Sequence, residues 1–171
     1  NNGVLSDHAI VILGRTGSGK TTLINVLANK KLCAVYDEDT DRITINAEDP
    51  LEGFSIGNLR TSETFVPKKW VSPEGIVVWD TPGFEDNRGA AQEIANAVCV
   101  QKIFETSSHL KLLIILSDPD LVDPRACKLI PFVRILDQLF IGDIDHIRPA
   151  SSLLISHAPA GRTTVHVRNI I

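Results

Sequence analysis

The chain has 171 residues, a formal net charge of −4, 43% hydrophobic residues and 22% charged residues. This length is typical of one domain, and the composition argues against a disordered, collagen-like or coiled-coil chain. The longest apolar run is far shorter than the roughly 18 residues of a membrane-spanning helix, and the mild acidity gives no support to nucleic-acid binding. The three widely spaced cysteines fit neither a disulfide framework nor a zinc site. We therefore expect a cytoplasmic protein without a membrane span.

The start of the chain bears on its domain organisation. It begins with Asn1 and contains no methionine, whereas a complete gene product normally begins with methionine. We expect residues 1–171 to form a single domain that is part of a longer protein. The segment after the last predicted strand is short, so the domain is also expected to be truncated at its C-terminal end.

Apolar runs alternate with helical patterns along the chain, which predicts an α/β domain with a mostly parallel sheet. In chain order, the pattern predicts a strand at 8–13, a helix at 20–29, a strand at 76–79, a helix at 90–105, a strand at 110–116, a helix at 126–140 and a strand at 152–155. The acidic stretch 34–60 is predicted to be a long loop, with at most a short strand at 43–45. A further strand is predicted at 64–71. It contains Pro67, which cannot donate a hydrogen bond to a neighbouring strand, so we expect this strand at an edge of the sheet.

A glycine-rich loop joins the first strand to the first helix. Its sequence, GRTGSGKT, matches G-x-x-x-x-G-K-[ST] in full and has the strand–loop–helix context that this motif requires. The glycines let several backbone N–H groups point into one cavity, and the helix adds its positive N-terminus. The lysine can reach the β- and γ-phosphates, and the threonine hydroxyl can bind Mg²⁺. The predicted phosphate contacts are Gly14, Arg15, Thr16, Gly17, Ser18, Gly19, Lys20, Thr21 and Thr22.

A second motif, Asp80-Thr81-Pro82-Gly83, follows the strand at 76–79. The carboxyl end of a buried strand is where ligands of open α/β sheets bind. There Asp80 can hold Mg²⁺ through water, and Gly83 can present its backbone N–H to a γ-phosphate because no side chain blocks the approach.

The segments GRTGSGKTTLINVL and VVWDTPGF together resemble the P-loop GTPases, especially the branch of Era-like, septin-like and immunity-associated proteins. The resemblance implies a three-layer P-loop NTPase fold, binding of GTP and GDP with Mg²⁺, slow hydrolysis of GTP, and a role as a nucleotide-dependent switch. In those families a threonine between the two motifs closes over Mg²⁺ and the γ-phosphate. Ser62-Glu63-Thr64 lies in the corresponding place, which favours Thr64, with Thr61 as the alternative. The implied catalytic residues are Lys20, Thr64 and Gly83, and the implied magnesium ligands are Thr21, Thr64 and Asp80.

Two family features are missing from this sequence. The guanine-reading N/T-K-x-D motif is absent after the late strand, where Ser156 and His157 stand instead and are expected to stack against or flank the base. Phe84 occupies the place of the glutamine that orients water in small regulatory GTPases, and phenylalanine cannot polarise water. Candidate substitutes for the glutamine are Glu85, Asp86, Arg88 and, within the phosphate loop, Arg15.

Other functions remain open at this stage. The absence of the glutamine also fits a nucleotide-dependent assembly module with little hydrolysis, forming a homodimer or oligomer through the nucleotide face. The loop GRTGSGKTTL is similar to that of ABC ATPases as well, although their LSGGQ-type segment and Asp-Glu strand end are absent. A P-loop ATPase and a small-molecule kinase are the remaining alternatives.

Overall fold

A computed structural model describes residues 8–38, 41–57, 64, 66–84, 89–140 and 147–161. Seven strands and four α-helices lie within these ranges. The strands are β1 (His8–Gly14), β2 (Leu32–Asp37), β3 (Arg42–Ala47), β4 (Lys68–Val71), β5 (Val77–Asp80), β6 (His109–Ser117) and β7 (Ser151–Ser156). The helices are α1 (Lys20–Leu27), α2 (Ala90–Thr106), α3 (Asp118–Val122) and α4 (Leu129–Leu139), with a 3₁₀ turn at Arg148–Ala150.

Five strands form the central sheet in the order β4-β5-β1-β6-β7. Strands β5, β1, β6 and β7 are parallel, and β4 pairs antiparallel with β5 at the edge. The predicted mostly parallel α/β sheet is therefore confirmed, and the strand after Pro67 lies at an edge as expected. The parallel direction brings the carboxyl ends of β1, β5, β6 and β7 to one edge of the sheet.

Both faces of the sheet are covered, because β1 sends alternate side chains to two hydrophobic clusters. Val11 and Leu13 belong to one cluster with residues of α2 and α4, such as Val100 and Phe132. The alternate residue Ile12 belongs to the other cluster, whose members are Ile12, Ile24, Phe54, Val78 and Ile115. Helices thus flank the sheet on both sides, as in a three-layer α/β domain.

The acidic stretch is the main correction to the predicted elements. The short strand expected at 43–45 lies within β3, but β2 was not predicted, and the two strands form an antiparallel hairpin in a separate two-stranded sheet instead of a long loop. The pairs Ala34–Ile45 and Tyr36–Ile43 lie opposite each other in the register. β2 was missed because its apolar run, residues 32–36, leads directly into the acidic residues at 37–41, which favoured a loop. The helix predicted at 126–140 is also shorter, since Ala126 has a φ of 47° and α4 begins at Leu129.

Candidate functional site: the phosphate loop and its neighbours

The phosphate loop runs from Gly14, the last residue of β1, to Lys20, the first residue of α1. Gly17 and Gly19 have φ values of 79° and 90°, which favour glycine strongly. A Cβ added to Gly14 would lie 2.8 Å from the carbonyl oxygen of Ile115 on β6, so glycine is needed there for close approach. Thr22 follows in the first turn of α1. The local sequence therefore produces the strand–loop–helix turn that the motif requires.

Lys20 is folded onto the loop itself. Its side chain is largely buried, with 6% of the residue exposed, and Nζ donates hydrogen bonds to the carbonyl oxygens of Gly14 and Arg15, both at 3.0 Å. The two backbone carbonyls satisfy the hydrogen-bonding needs of the buried amino group and hold it within the loop. This position suits an anion bound by the surrounding N–H groups.

Three oxygen-bearing side chains converge beside Lys20. The Thr21 hydroxyl donates to Oδ2 of Asp80 at 2.7 Å, and the Thr64 hydroxyl donates to the same oxygen at 3.3 Å. Asp80 is fully buried, and Thr64 is 4% exposed. The structure thus brings together the three side chains that the resemblance implied as magnesium ligands, although Thr64 is separated from Asp80 by 16 residues in the chain.

Burial dominates the electrostatics of Asp80. It raises the pKa of this carboxyl above the ordinary value, against the opposing effects of Lys20, the hydroxyls of Thr21 and Thr64, and Lys68. The second oxygen, Oδ1, has no hydrogen-bond partner among the residues that the structure describes. A buried carboxylate with an unused oxygen, next to two hydroxyls, is a donor set that a hard divalent cation prefers. These residues therefore fit Mg²⁺.

The segment after Asp80 is packed against the phosphate loop. Gly83 lies so close to Thr16 that an added Cβ would overlap the Thr16 backbone. The Phe84 N–H donates to the Gly14 carbonyl at 3.3 Å, and the Thr16 N–H donates to the Phe84 carbonyl at 3.2 Å. Gly83 is thus held beside the loop, as a residue that contacts a terminal phosphate must be.

Arg15 forms an ion pair that the sequence did not suggest. Its Nη1 lies 2.6 Å from Oδ2 of Asp120 on α3, and both side chains are mostly buried. Lys128 approaches the other oxygen of the same carboxylate, at 4.0 Å. Arg15 and Asp120 are 105 residues apart in the chain, so no local signal could have revealed the pair. The guanidinium is directed to α3, which does not favour Arg15 as a charge stabiliser within this chain.

Ser156 and His157 lie at the carboxyl end of β7, next to the phosphate loop. A Cβ added to Gly19 would lie 4.0 Å from Cε1 of His157 and 4.0 Å from Cβ of Ser156. The Ser156 Oγ and the His157 Nδ1 are 3.0 Å apart, and His157 adopts a φ of 54°. The two residues predicted to flank the nucleotide base, Ser156 and His157, therefore lie beside the phosphate loop.

Residues 9–138 match the model of a protein family described as "50S ribosome-binding GTPase". The chain belongs to this GTPase family. The matched range covers about three quarters of the chain and includes the phosphate loop, Thr64 and Asp80. No curated protein sequence matches the chain.

The GTPase fold is also found in a solved structure titled "Signal recognition particle receptor SRb-GTP/SRX complex from Chaetomium thermophilum". The TM-score is 0.51 at 17% sequence identity, and the match covers 89% of this chain and 69% of the other chain. At this identity the likeness concerns the fold. It agrees with a P-loop NTPase architecture, and the assignment to the Era-, septin- and immunity-associated-like branch stays a prediction.

Several predicted residues of this GTPase lie outside the described ranges. They are Thr61, Ser62, Glu63, Glu85, Asp86 and Arg88. Within the described ranges, no helix is long and apolar enough to cross a membrane.

The sequence did not predict where the side chain of Phe84, the residue after Gly83, lies. Its ring is buried in the hydrophobic core and is not directed to solvent. The signal for this was an apolar residue directly after a glycine that must contact the phosphate loop.

Proposed function

We propose that this GTPase domain binds GTP and GDP with Mg²⁺, hydrolyses GTP slowly to GDP and inorganic phosphate, and acts as a nucleotide-dependent switch. The observation that carries the proposal is the convergence of Thr21, Thr64 and Asp80 beside the ammonium of Lys20. The family supports the nucleotide class, because its members are described as GTPases.

Each part of the site has a chemical role in this proposal. The N–H groups of the loop and Lys20 bind the phosphates, and Thr21, Asp80 and Thr64 hold the cation. Bound Mg²⁺ supplies positive charge to the phosphate oxygens when the bond to the γ-phosphorus breaks. Gly83 presents its N–H to the γ-phosphate, and Thr64 closes over Mg²⁺ and the same phosphate. Because GDP has no γ-phosphate, these two residues distinguish GTP from GDP. Ser156 and His157 flank the guanine.

Slow hydrolysis follows from the residue after Gly83. The side chain of Phe84 is buried and cannot orient water, so the rate without a partner is expected at about 10⁻⁴–10⁻² per second. Phosphate release from GTP, measured with Mg²⁺ and with a chelator in excess, tests the activity. Lys20→Ala is the control, because it removes the phosphate-binding ammonium. Equal phosphate release by the wild type and Lys20→Ala would show that the activity does not arise from this site.

A second function, nucleotide-dependent assembly with little hydrolysis, is supported by one surface feature. Helix α2 carries two exposed apolar side chains, Ile94 and Val98, one turn apart. The exposed fraction is 65% for Ile94 and 50% for Val98. Light scattering of the protein without nucleotide, with GDP and with a non-hydrolysable GTP analogue tests this proposal. A dimer or oligomer that forms only with one nucleotide supports it, and an oligomeric state independent of nucleotide contradicts it.

A further inference from the structure

We propose that Lys68 is a positioning residue of the magnesium site, which keeps a positive charge beside Asp80 and thereby weakens the binding of Mg²⁺. This inference rests on the proposed GTPase function and deepens it, because it assigns control of the Mg²⁺ affinity to a residue outside the phosphate loop and outside the three proposed ligands. Lys68 is the first residue of β4, the antiparallel edge strand of the central sheet.

The pairing of β4 with β5 places Lys68 beside Asp80. The two residues are direct partners in the antiparallel register, and directly opposite residues lie on the same face of a sheet. The next pair on this face, Trp70 and Val78, packs in the hydrophobic cluster that also contains a residue of α1. Because side chains alternate along a strand, Lys68 and Asp80 lie on the side of the sheet where α1 carries Thr21.

Two positive charges act on the Asp80 carboxylate. Burial raises the pKa of this carboxyl, and the charges of Lys20 and Lys68 oppose that effect, with Lys20 the stronger of the two. Lys20 belongs to the phosphate loop, where the proposed function uses it to bind the phosphates. Lys68 has no phosphate to bind in the proposed site, so the effect of its charge there is on the carboxylate and on the cation that the carboxylate holds.

The side chain of Lys68 is half-buried and anchored, unlike that of an ordinary edge-strand lysine. Its Nζ donates to the carbonyl oxygen of Gly53 at 2.6 Å. Gly53 lies in a turn at residues 51–54 and has a φ of 80°, which favours glycine. An anchored ammonium acts on Asp80 more strongly than a mobile surface lysine, which loses most of its effect to solvent and to side-chain entropy.

The turn is itself fixed to α1 by a buried amide. Asn25 is fully buried, its Oδ1 accepts from the Leu51 N–H at 2.9 Å, and its Nδ2 donates to the Phe54 carbonyl at 2.8 Å. The same Nδ2 also donates to the carbonyl of Thr21 at 2.9 Å. The position of the Lys68 ammonium is therefore linked to the helix that carries a proposed magnesium ligand.

The expected consequence is competition between an ammonium and Mg²⁺ for one carboxylate. Like charges repel, and the repulsion is stronger in a buried site than in water. Removing the ammonium charge should therefore raise the affinity for Mg²⁺ about tenfold, or by about 1.4 kcal/mol. In the wild-type protein Lys68 then favours release of Mg²⁺ after hydrolysis.

The test is a calorimetric titration of the GDP complex with Mg²⁺, at alkaline pH where carboxyl groups are ionised. Lys68→Gln loses the charge but keeps a donor for the Gly53 carbonyl, and it should bind Mg²⁺ about tenfold more tightly than the wild type. Lys68→Arg keeps the charge and should stay within about threefold of the wild type.

The neighbouring lysine supplies the matched control. Lys69→Gln makes the same change in net charge, but Lys69 is exposed and points to the opposite face of the sheet. It should leave the Mg²⁺ affinity within about twofold of the wild type, because surface charges are largely screened. Unchanged or weaker Mg²⁺ binding by Lys68→Gln would overturn the inference, since a purely structural role of Lys68 predicts a loss of affinity and not a gain.

A double-mutant cycle without nucleotide keeps this test separate from the proposed function. Lys68→Gln should lower the midpoint of thermal unfolding by roughly 2–4 °C when Asp80 is present. The shift should be less than half as large in the Asp80→Asn background, which lacks the carboxylate charge. If no guanine nucleotide binds, the proposed function fails, and the cycle still decides whether Lys68 acts on Asp80. Equal shifts in the two backgrounds would contradict the inference.

Discussion

The replacement Asp80→Asn should stabilise the nucleotide-free domain while removing its response to Mg²⁺. Asp80 is fully buried, and its Oδ1 has no hydrogen-bond partner among the described residues. Burial is the largest influence on its pKa and disfavours the charged form, in spite of the attraction from Lys20. Asparagine keeps an oxygen that can accept from Thr21 and Thr64 but carries no charge.

The expected gain in the free energy of unfolding is about 1 kcal/mol at neutral pH, because the replacement removes a buried charge. Stabilising substitutions at functional sites commonly give gains of this size. For a chain of this size, this gain raises the midpoint of thermal unfolding by roughly 2–4 °C. With Mg²⁺ and GDP the wild type should instead be more stable than Asp80→Asn, since a ligand at 100 times its Kd stabilises the protein that binds it by about 2.7 kcal/mol.

The pH dependence of the same comparison follows from the sign of the pKa shift. Because the folded-state pKa of Asp80 is raised, the ionised carboxyl lowers stability above that pKa. Below the unfolded-state pKa both states bind the proton, and the penalty disappears. The advantage of Asp80→Asn at pH 7 should therefore narrow as the pH falls into the acid range.

Thermal unfolding by circular dichroism, with a chelator or with Mg²⁺ and GDP, measures these differences. Asp118→Asn is the matched control, because Asp118 is also buried, as the first residue of α3 directly after β6, but is not among the three proposed Mg²⁺ ligands. It should leave the Mg²⁺ response unchanged. A loss of 1 kcal/mol or more in nucleotide-free Asp80→Asn would refute the reasoning, since it would assign Asp80 a structural role.

Three further predictions concern the surroundings of the loop. Thr64→Ala should lower the Mg²⁺-dependent affinity for a GTP analogue at least tenfold in a fluorescence titration and leave GDP affinity nearly unchanged; an equal loss of both would remove Thr64 from its assigned role. Gly83→Ala should lower the free energy of unfolding by about 1–3 kcal/mol, because its Cβ overlaps the Thr16 backbone, and an unchanged denaturation midpoint would contradict that close packing. A double-mutant cycle of Arg15→Ala and Asp120→Ala should give a coupling of about 1 kcal/mol for this mostly buried pair; additivity of the two changes would mean that the ion pair does not form in solution.

The sequence predicted the sheet and the phosphate loop because both depend on local patterns. The apolar runs that became β1 and β6 are continuous, as buried parallel strands require. The glycines and Lys20 of the loop stand at fixed spacing, so the turn could be read directly.

The parts that were missed depend on contacts between distant residues or on a weak pattern. The ion pair between Arg15 and Asp120 joins segments that meet only in the folded domain. The burial of Phe84 depends on α4, through Phe132, and not on its neighbours in sequence. Strand β3 alternates apolar and polar residues, but the carboxylates between β2 and β3 favoured a loop over a hairpin.

The identity of the nucleotide is the central claim, and its most direct test is a calorimetric titration of the protein with GDP, GTP, ADP and ATP in the presence of Mg²⁺. We expect GTP to bind at least tenfold more tightly than ATP, a difference of about 1.4 kcal/mol, and Lys20→Ala to bind neither. Equal binding of GTP and ATP, or unchanged binding by Lys20→Ala, would contradict a guanine-nucleotide site at this loop.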